Sequence, residues 1–491
     1  MKYKLRYFYS KGAFLVLVWM MLITSALTFL FLVLTKSGSI QTYPHSKDQI
    51  FLLLPMIAFI PISGWLADVW YGNFKVFRFG AVLLFVSAVL TCICLIIKEE
   101  GVYPTVIRIT STAAVLVAYI GVSACLVTAF QLGLDQMPDA SSDNIISFIK
   151  WLIVSALFGV WISEIILKNT IYCAFVDTGN KYIFFSLYPV FAMSILCCSI
   201  FLLAQKWLII EPKSPQSLKI IYQILKFAAK HKAPLNRSAL TYWEEDVPSR
   251  MDLGKSRYGG PFTTEQVEDV KTFFKIIVIQ IPLFFVSLSF HIHLNHQSSF
   301  PLSRCTSVLI NIFTYHPFVC AMLVTLISEF IVYPLVKMEP PSILKQIGFA
   351  CFIIVVANIG LLSAEVVSYF HDIQIWIEIA SSVMGGLVYL SFLTILILLF
   401  ACAQSPYNMR GLLVGIALLL HASSLGLGGV LFNIMINLCN KCYNYIIYSS
   451  VMVAEIVYSG VPKKHHTQDR ARGADIPPAG RDTRGHEILG S

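Results

Sequence analysis

Along most of its 491 residues the chain alternates long apolar runs with short polar breaks. The runs are about 18 to 25 residues long, the length at which a helix crosses a hydrocarbon core of ~30 Å. Helical spans are expected at 13–35, 50–70, 77–97, 106–133, 145–167 and 182–204, and again at 272–294, 307–336, 343–364, 375–403, 410–436 and 443–460. Between the two sets lies the one long polar stretch away from the chain ends, Gln205 to Lys271, dense in charge and holding Pro212, Pro215, Pro234, Pro248 and Pro261. The pattern divides the chain into an N-terminal segment (1–12), a six-helix bundle (13–204), a connector (205–271), a second six-helix bundle (272–460) and a tail (461–491). The predicted fold class is all-α and polytopic, with twelve transmembrane helices. The tail lacks apolar periodicity and is expected to be disordered.

The connector has its own pattern. From Ser217 to Lys232, Leu218, Ile221, Tyr222 and Leu225 recur at helical spacing, with Lys219, Lys226 and Lys230 opposite. Such a basic amphipathic helix fits either the inner membrane surface or the ends of the bundle. Thr263 and Gln266 stand at capping-box spacing, with Phe262 and Val267 placed as a hydrophobic staple. A helix should begin there and run into the seventh span.

Composition agrees with the pattern. Apolar residues make up 57% and charged residues 13%, and mean hydropathy is +0.73, against roughly 45–50% and about 25% in soluble domains. The net charge of +9 does not point to nucleic acid, because the basic residues gather in the loops of one side. With the N-terminus inside, eight of the 36 Lys and Arg fall outside: Lys36, Lys47, Lys98, Arg108, Lys168, Lys181, Arg304 and Lys441. That bias predicts an integral, multi-pass protein with both termini cytoplasmic. Most of the 12 cysteines, such as Cys92, Cys94, Cys197 and Cys198, lie in apolar spans and read as small hydrophobes. Cys439 and Cys442 form a lone C-x-x-C with no nearby histidine, so no metal is expected. No cleavable signal peptide is expected, since Lys2, Lys4, Arg6 and Lys11 precede a full first span.

Four stretches carry motifs. Residues 64–75, GWLADVWYGNFK, join spans two and three, and resemble the G-x-x-x-D…G-x-x-[KRT] signature of the major facilitator superfamily. Gly64 and Gly72 would permit close approach and a tight turn, and Asp68 would pair with Lys75 or Arg78 or cap a neighbouring helix. Residues 400–413, FACAQSPYNMRGLL, join spans ten and eleven and are similar to a segment of the proton-dependent oligopeptide transporters, with Gln404, Pro406, Met409, Arg410 and Gly411 as the matching positions. Residues 259–271, GGPFTTEQVEDVK, resemble the entry to helix seven in the animal branch, solute carrier family 15, and Glu329–Pro334 resembles its helix eight. The chain is therefore identified as a divergent member of that family. The resemblance implies the major facilitator fold, two six-helix bundles rocking about a central site. It also implies that residues 64–78 and 404–411 form a conformational latch.

The resemblance further implies proton-coupled symport of di- or tripeptides, with H+ as co-substrate. The residues depart from it there. The helix-one E-x-x-E-R-F signature is absent, since no Asp or Glu occurs before Asp48. The helix-four lysine falls on Leu126, the helix-five asparagine on Leu157, the helix-seven acidic position on Asn295 and the helix-ten glutamate on Leu390. A zwitterionic peptide would lose the partners of both its termini, and burying an ion without its counter-charge costs several kcal/mol. His291, Asn295 and His296 stand at i, i+4 and i+5 near the end of span seven and are candidates for a cavity or proton site, with Glu329, Tyr119, Ser155 and Tyr389.

Three functions stay open at this level: a secondary transporter of a peptide-like solute, an uncoupled facilitator of a neutral solute, and a non-transporting scaffold or sensor on the same fold. An enzyme is not expected, because no catalytic constellation occurs at useful spacing. No cofactor is expected, the partners are the lipid bilayer and a small solute, and a monomer is expected.

Overall fold

The computed structural model describes residues 10–36, 47–99, 104–137, 142–177, 205–210, 217–231, 248–299, 343–366, 394–406 and 409–438, and the single positions 327, 377 and 380. The expected spans at 182–204 and 443–460, nearly all of 307–336, most of 375–403, and the tail lie outside the described residues. Among the described residues the fold is helical, with one isolated bridge between Lys255 and Phe262 and no strand. The helices are α1 (Lys11–Lys36), α2 (Lys47–Leu66), α3 (Asn73–Glu99), α4 (Pro104–Asp135), α5 (Ser142–Asp177), α6 (Ser217–Lys230), α7 (Thr264–Ser299), α8 (Ile343–Val366), α9 (Thr394–Gln404) and α10 (Arg410–Leu438). Segments of α1, α3, α4, α5, α7 and α10 are each long and apolar enough to cross a membrane. The protein is an integral, multi-pass membrane protein.

In the N-terminal half α3 packs on α4, α1 on α5, and α4 on α1 and α2. Trp19, Phe29, Phe77, Phe130 and Phe148 fill the core, with the Trp19 and Phe77 rings 5.3 Å apart. Apolar packing alone gives helices little register in lipid, and short hydrogen bonds add it. Ser25 and Ser163 meet at 2.7 Å, and the Thr24 hydroxyl donates to the Ala156 carbonyl at 3.0 Å, fixing α1 against α5. Ser63 donates to the Ser123 carbonyl and Ser123 to that of Met56, fixing α2 against α4. In the C-terminal half α10 packs on α7 and α9, and α8 touches both α7 and α9. The halves meet where α10 lies along α2 and α9 touches α5.

The connector is built onto the ends of this bundle. The Gln136 side chain accepts from the Ile209 N–H at 2.9 Å and donates to the Ile209 carbonyl at 3.0 Å, tying the connector's start to the end of α4. Of the two placements open for the basic helix, α6 takes the bundle: it touches the turn after α2 and the start of α7, burying Ile221, Ile224 and Ala228. Tyr222, expected on the packed face, is 63% exposed; the buried stripe is rotated toward Ile224 because a phenol keeps its hydroxyl in water more cheaply than an isoleucine leaves its side chain there. Residues 248–262 fold into a compact turn. Gly259 takes φ 84° there, a left-handed conformation that favours glycine. The expected capping box is present: Thr263 Oγ1 accepts from the Gln266 N–H, and Gln266 Oε1 accepts from the Thr263 N–H, both at 3.2 Å.

Candidate functional site

The two long-range motifs converge on one contact at the connector end of the bundle. After Leu66 the chain winds into a π-helical turn, Ala67–Tyr71, a winding that often marks functional positions. The turn carries Asp68 inward, where it is 3% exposed. One carboxylate oxygen accepts from Gln131 Nε2 of α4 at 2.9 Å. The other accepts from the backbone N–H of Leu412 at 2.8 Å. Leu412 lies in the first turn of α10, where backbone N–H groups lack intrahelical partners. Asp68 is thus a capping residue supplied across the interface by the other half, 344 residues away in sequence. The helix N-terminus favours the negative charge, and the two donors offset the cost of burying it. Gly72 ends the turn with φ 80°.

The glycines explain how the carboxylate gets this close. A Cβ at Gly64 would run into the Gly411 carbonyl, and one at Gly411 would lie 2.7 Å from Asp68 Oδ1 and 2.6 Å from Gln131 Nε2. Each glycine leaves the room that the other strand of the contact occupies. Farther along, a Cβ at Gly415 would lie 3.0 Å from the Pro61 Cα, so α2 and α10 stay backbone-close over another turn. A second pair supports the first: Asn73 at the start of α3 donates to Asp135 at the end of α4 at 2.6 Å, both buried. Helix capping, one of the roles expected for Asp68, is present in the Leu412 contact. Lys75 and Arg78 are exposed.

Gln404 ends α9, and Pro406 makes the bend, its carbonyl accepting from the Met409 N–H at 3.0 Å. Met409 is buried in the core, which seats the first turn of α10 where Asp68 reaches it. Arg410 is half-buried at the head of α10.

The candidates for a cavity or proton site scatter. His291 is buried, 6% exposed, with its ring centroid 5.7 Å from that of His421 on α10. It packs inside the C-terminal half. Ser287 and Gln280, four and eleven residues before it on α7, are buried on the same helical face. Tyr119 is buried in the N-terminal core. Ser155 is half-buried and donates to the Leu152 carbonyl at 2.7 Å. Leu126 and Leu157 are partly buried hydrophobics packed on that core. The side chains of Asn295 and His296, and residues Glu329, Tyr389 and Leu390, lie outside what is described. Among the described residues no group of three or more His, Cys, Asp or Glu side chains could hold a metal ion.

Sequence reasoning missed Gln131 and His421. Both are polar residues in otherwise apolar spans, which is itself a signal, since such residues are expensive in a membrane and need partners. It also missed the Leu412 partner, because a backbone N–H carries no side-chain signature.

No family model matches the chain. Its fold is similar to solved major facilitator transporters. The peptide transporter PepTSo of the POT family matches with TM-score 0.57 at 11% identity, covering 94% of this chain and 99% of that one. The proton:xylose symporter XylE matches with TM-score 0.57 at 14% identity over 92% and 96%. A bacterial homologue of the iron transporter ferroportin, in an outward-facing state, matches with TM-score 0.56 at 13% identity over 91% and 98%. At such identities the likeness shows the fold.

Proposed function

We propose that the chain is a secondary transporter working by alternating access, with residues 13–204 rocking against 272–460. One observation carries this reading: a charged side chain of one half caps a helix of the other. The contact between Asp68, Gln131 and the Leu412 N–H is a latch that closes the connector end. It is strong enough to hold one arrangement, and small enough to break when the halves separate. The basic loops place both termini and the connector in the cytoplasm, so the closed end is the cytoplasmic one. By resemblance the solute is a di- or tripeptide or a peptide-like molecule, and the coupling ion is H+. His291, with His421 facing it, is the proton-site candidate that lies among described residues.

A second reading has its own support. Leu126 and Leu157 fill with aliphatic side chains two positions where the family resemblance implies a lysine and an asparagine, and both pack on the core. A site without those groups suits a neutral solute moved without ion coupling.

The test is uptake of a labelled dipeptide and a labelled neutral sugar, at acidic and neutral outer pH, by cells with verified surface protein. Symport predicts dipeptide uptake that rises in acid and falls when the gradient is collapsed. Facilitation predicts pH-independent equilibration. Background uptake of both solutes, together with halves that do not exchange conformation, overturns the transporter reading and leaves a scaffold or sensor.

A further inference from the structure

Beside the Asp68 contact lies a second exposed surface. Helix α6 turns its apolar stripe, Ile221, Ile224 and Ala228, toward the bundle. Its outer face is left to Lys219, Tyr222, Gln223, Lys226 and Lys230, all exposed, with Lys226 Nζ 5.7 Å from the Tyr222 ring. The π-helical turn that α6 touches presents Trp70, 67% exposed, and Tyr71, 55% exposed, with ring centroids 6.4 Å apart. Lys75 and Arg78 follow on α3, both exposed. Residues 217–231 contain no acidic residue, and 64–78 contain only Asp68, which is buried in the latch. The surface is therefore aromatic and cationic, with no exposed carboxylate of its own.

We propose that this surface binds anionic phospholipid headgroups of the leaflet at the connector end. The cations of α6 and of the start of α3 take the lipid phosphates, and Trp70 and Tyr71 sit at headgroup depth. Charge complementarity gives the sign of the ligand. The place of the rings gives its source: the turn leads into α3, a helix long and apolar enough to cross a bilayer, and Trp and Tyr settle where such helices leave the hydrocarbon. The apolar stripe of α6 is occupied by the bundle, so α6 does not insert. Binding is electrostatic, falls with salt, and depends on the number of lysines. Because α6 rests on the turn that carries Asp68, bound lipid also steadies the latch. The proposal stands whether or not the protein transports.

The experiment compares the full chain in nanodiscs of phosphatidylcholine alone and of phosphatidylcholine with phosphatidylserine, reading hydrogen exchange of residues 217–231. Anionic lipid should slow exchange there about tenfold, on the scale expected for a few lysines near an anionic surface, and high salt should remove the effect. The triple variant K219Q/K226Q/K230Q should lose it, and K219R/K226R/K230R should keep it. Circular dichroism of each variant confirms that it is folded. Inorganic phosphate added to phosphatidylcholine discs should not reproduce the protection. Equal exchange in both discs, full protection by phosphate alone, or an unchanged response in the triple glutamine variant overturns the proposal. So does protection that appears only with an added acidic peptide.

Discussion

Asp252 concentrates the connector's electrostatics on one carboxyl group. Burial pushes this group up, but hydrogen bonds from Lys255, Lys271 and Ser249 outweigh that and hold it well below the usual carboxylate range. Lys255, 5% exposed, is itself clamped, 2.6 Å from Asp252 and 2.5 Å from Glu268. The folded value lies below the unfolded one of about 3.9, so the contribution is complete above that pH and is lost as pH falls through the folded value. Asp252→Asn should therefore loosen residues 248–262 at neutral pH by about 2 kcal/mol, the scale of a lost charge-assisted bond with a buried lysine left behind. The gap between variant and wild type, read by hydrogen exchange, should stay flat from neutral pH to mildly acid and close below about pH 4. A gap that grew on acidification would contradict this account. None of this cluster was legible in the sequence beyond the density of charge in the connector. Which lysine meets which carboxylate depends on a turn whose closure, with the Gly260 N–H on the Lys255 carbonyl and the Phe262 N–H on the Gly254 carbonyl, has no one-dimensional signature.

At the scale of elements, the features that showed in the sequence are those set by local physics. The spans are visible because every backbone group in lipid must be satisfied within its own helix, which forces long unbroken apolar runs. The start of α7 is visible because a capping box is a four-residue device. Its test is as local as its cause. Thr263→Ala removes the Oγ1 acceptor of the Gln266 N–H and should cost about 1 kcal/mol, seen as faster amide exchange over residues 264–267 with the rest of α7 unchanged. Thr263→Ser should restore protection. Helix α6 shows where locality ends. Its residues gave a helix and a basic face, but the choice between lipid and protein, and the rotation that buries Ile224 in place of Tyr222, were decided by what the bundle offered. Two glycines 347 residues apart, Gly64 and Gly411, likewise stand in separate motifs of the sequence, and only the fold shows that Gly64 makes room for the Gly411 backbone and Gly411 for the Asp68 and Gln131 side chains.

At the scale of the whole molecule, the proposed latch rests on the Asp68 carboxylate of one half reaching the Leu412 N–H of the other, and that makes its energetics testable without a substrate. In the closed arrangement Asp68 accepts across the interface from the Leu412 N–H, a bond to a charged group worth about 1.5–3 kcal/mol, while its Gln131 partner belongs to its own half. When the halves part, the carboxylate and the first turn of α10 both return to water, which recovers much of that energy. The net bias toward closure is the remainder, on the order of 1–3 kcal/mol, or roughly a 5- to 150-fold population ratio. Asp68→Ala should erase most of that bias. Asp68→Asn should erase part, because an amide oxygen still accepts from the Leu412 N–H but no longer complements the helix N-terminus with charge. Gly411→Ala should act like Asp68→Ala by a different route, since the added methyl occupies the space of the carboxylate and overpacking costs about 1–3 kcal/mol. The measurement is a distance distribution between spin labels at Lys75 and Lys345, one on each half and both exposed, with the native cysteines replaced. Wild type should be dominated by the short distance, Asp68→Asn should show a mixture, and Asp68→Ala and Gly411→Ala should shift to the long one. If all four distributions coincide, the contact is packing and not a switch. Closure must then be set by the α5–α9 contact or elsewhere along α2 and α10, where Pro61 and Gly415 bring the backbones together without any charge.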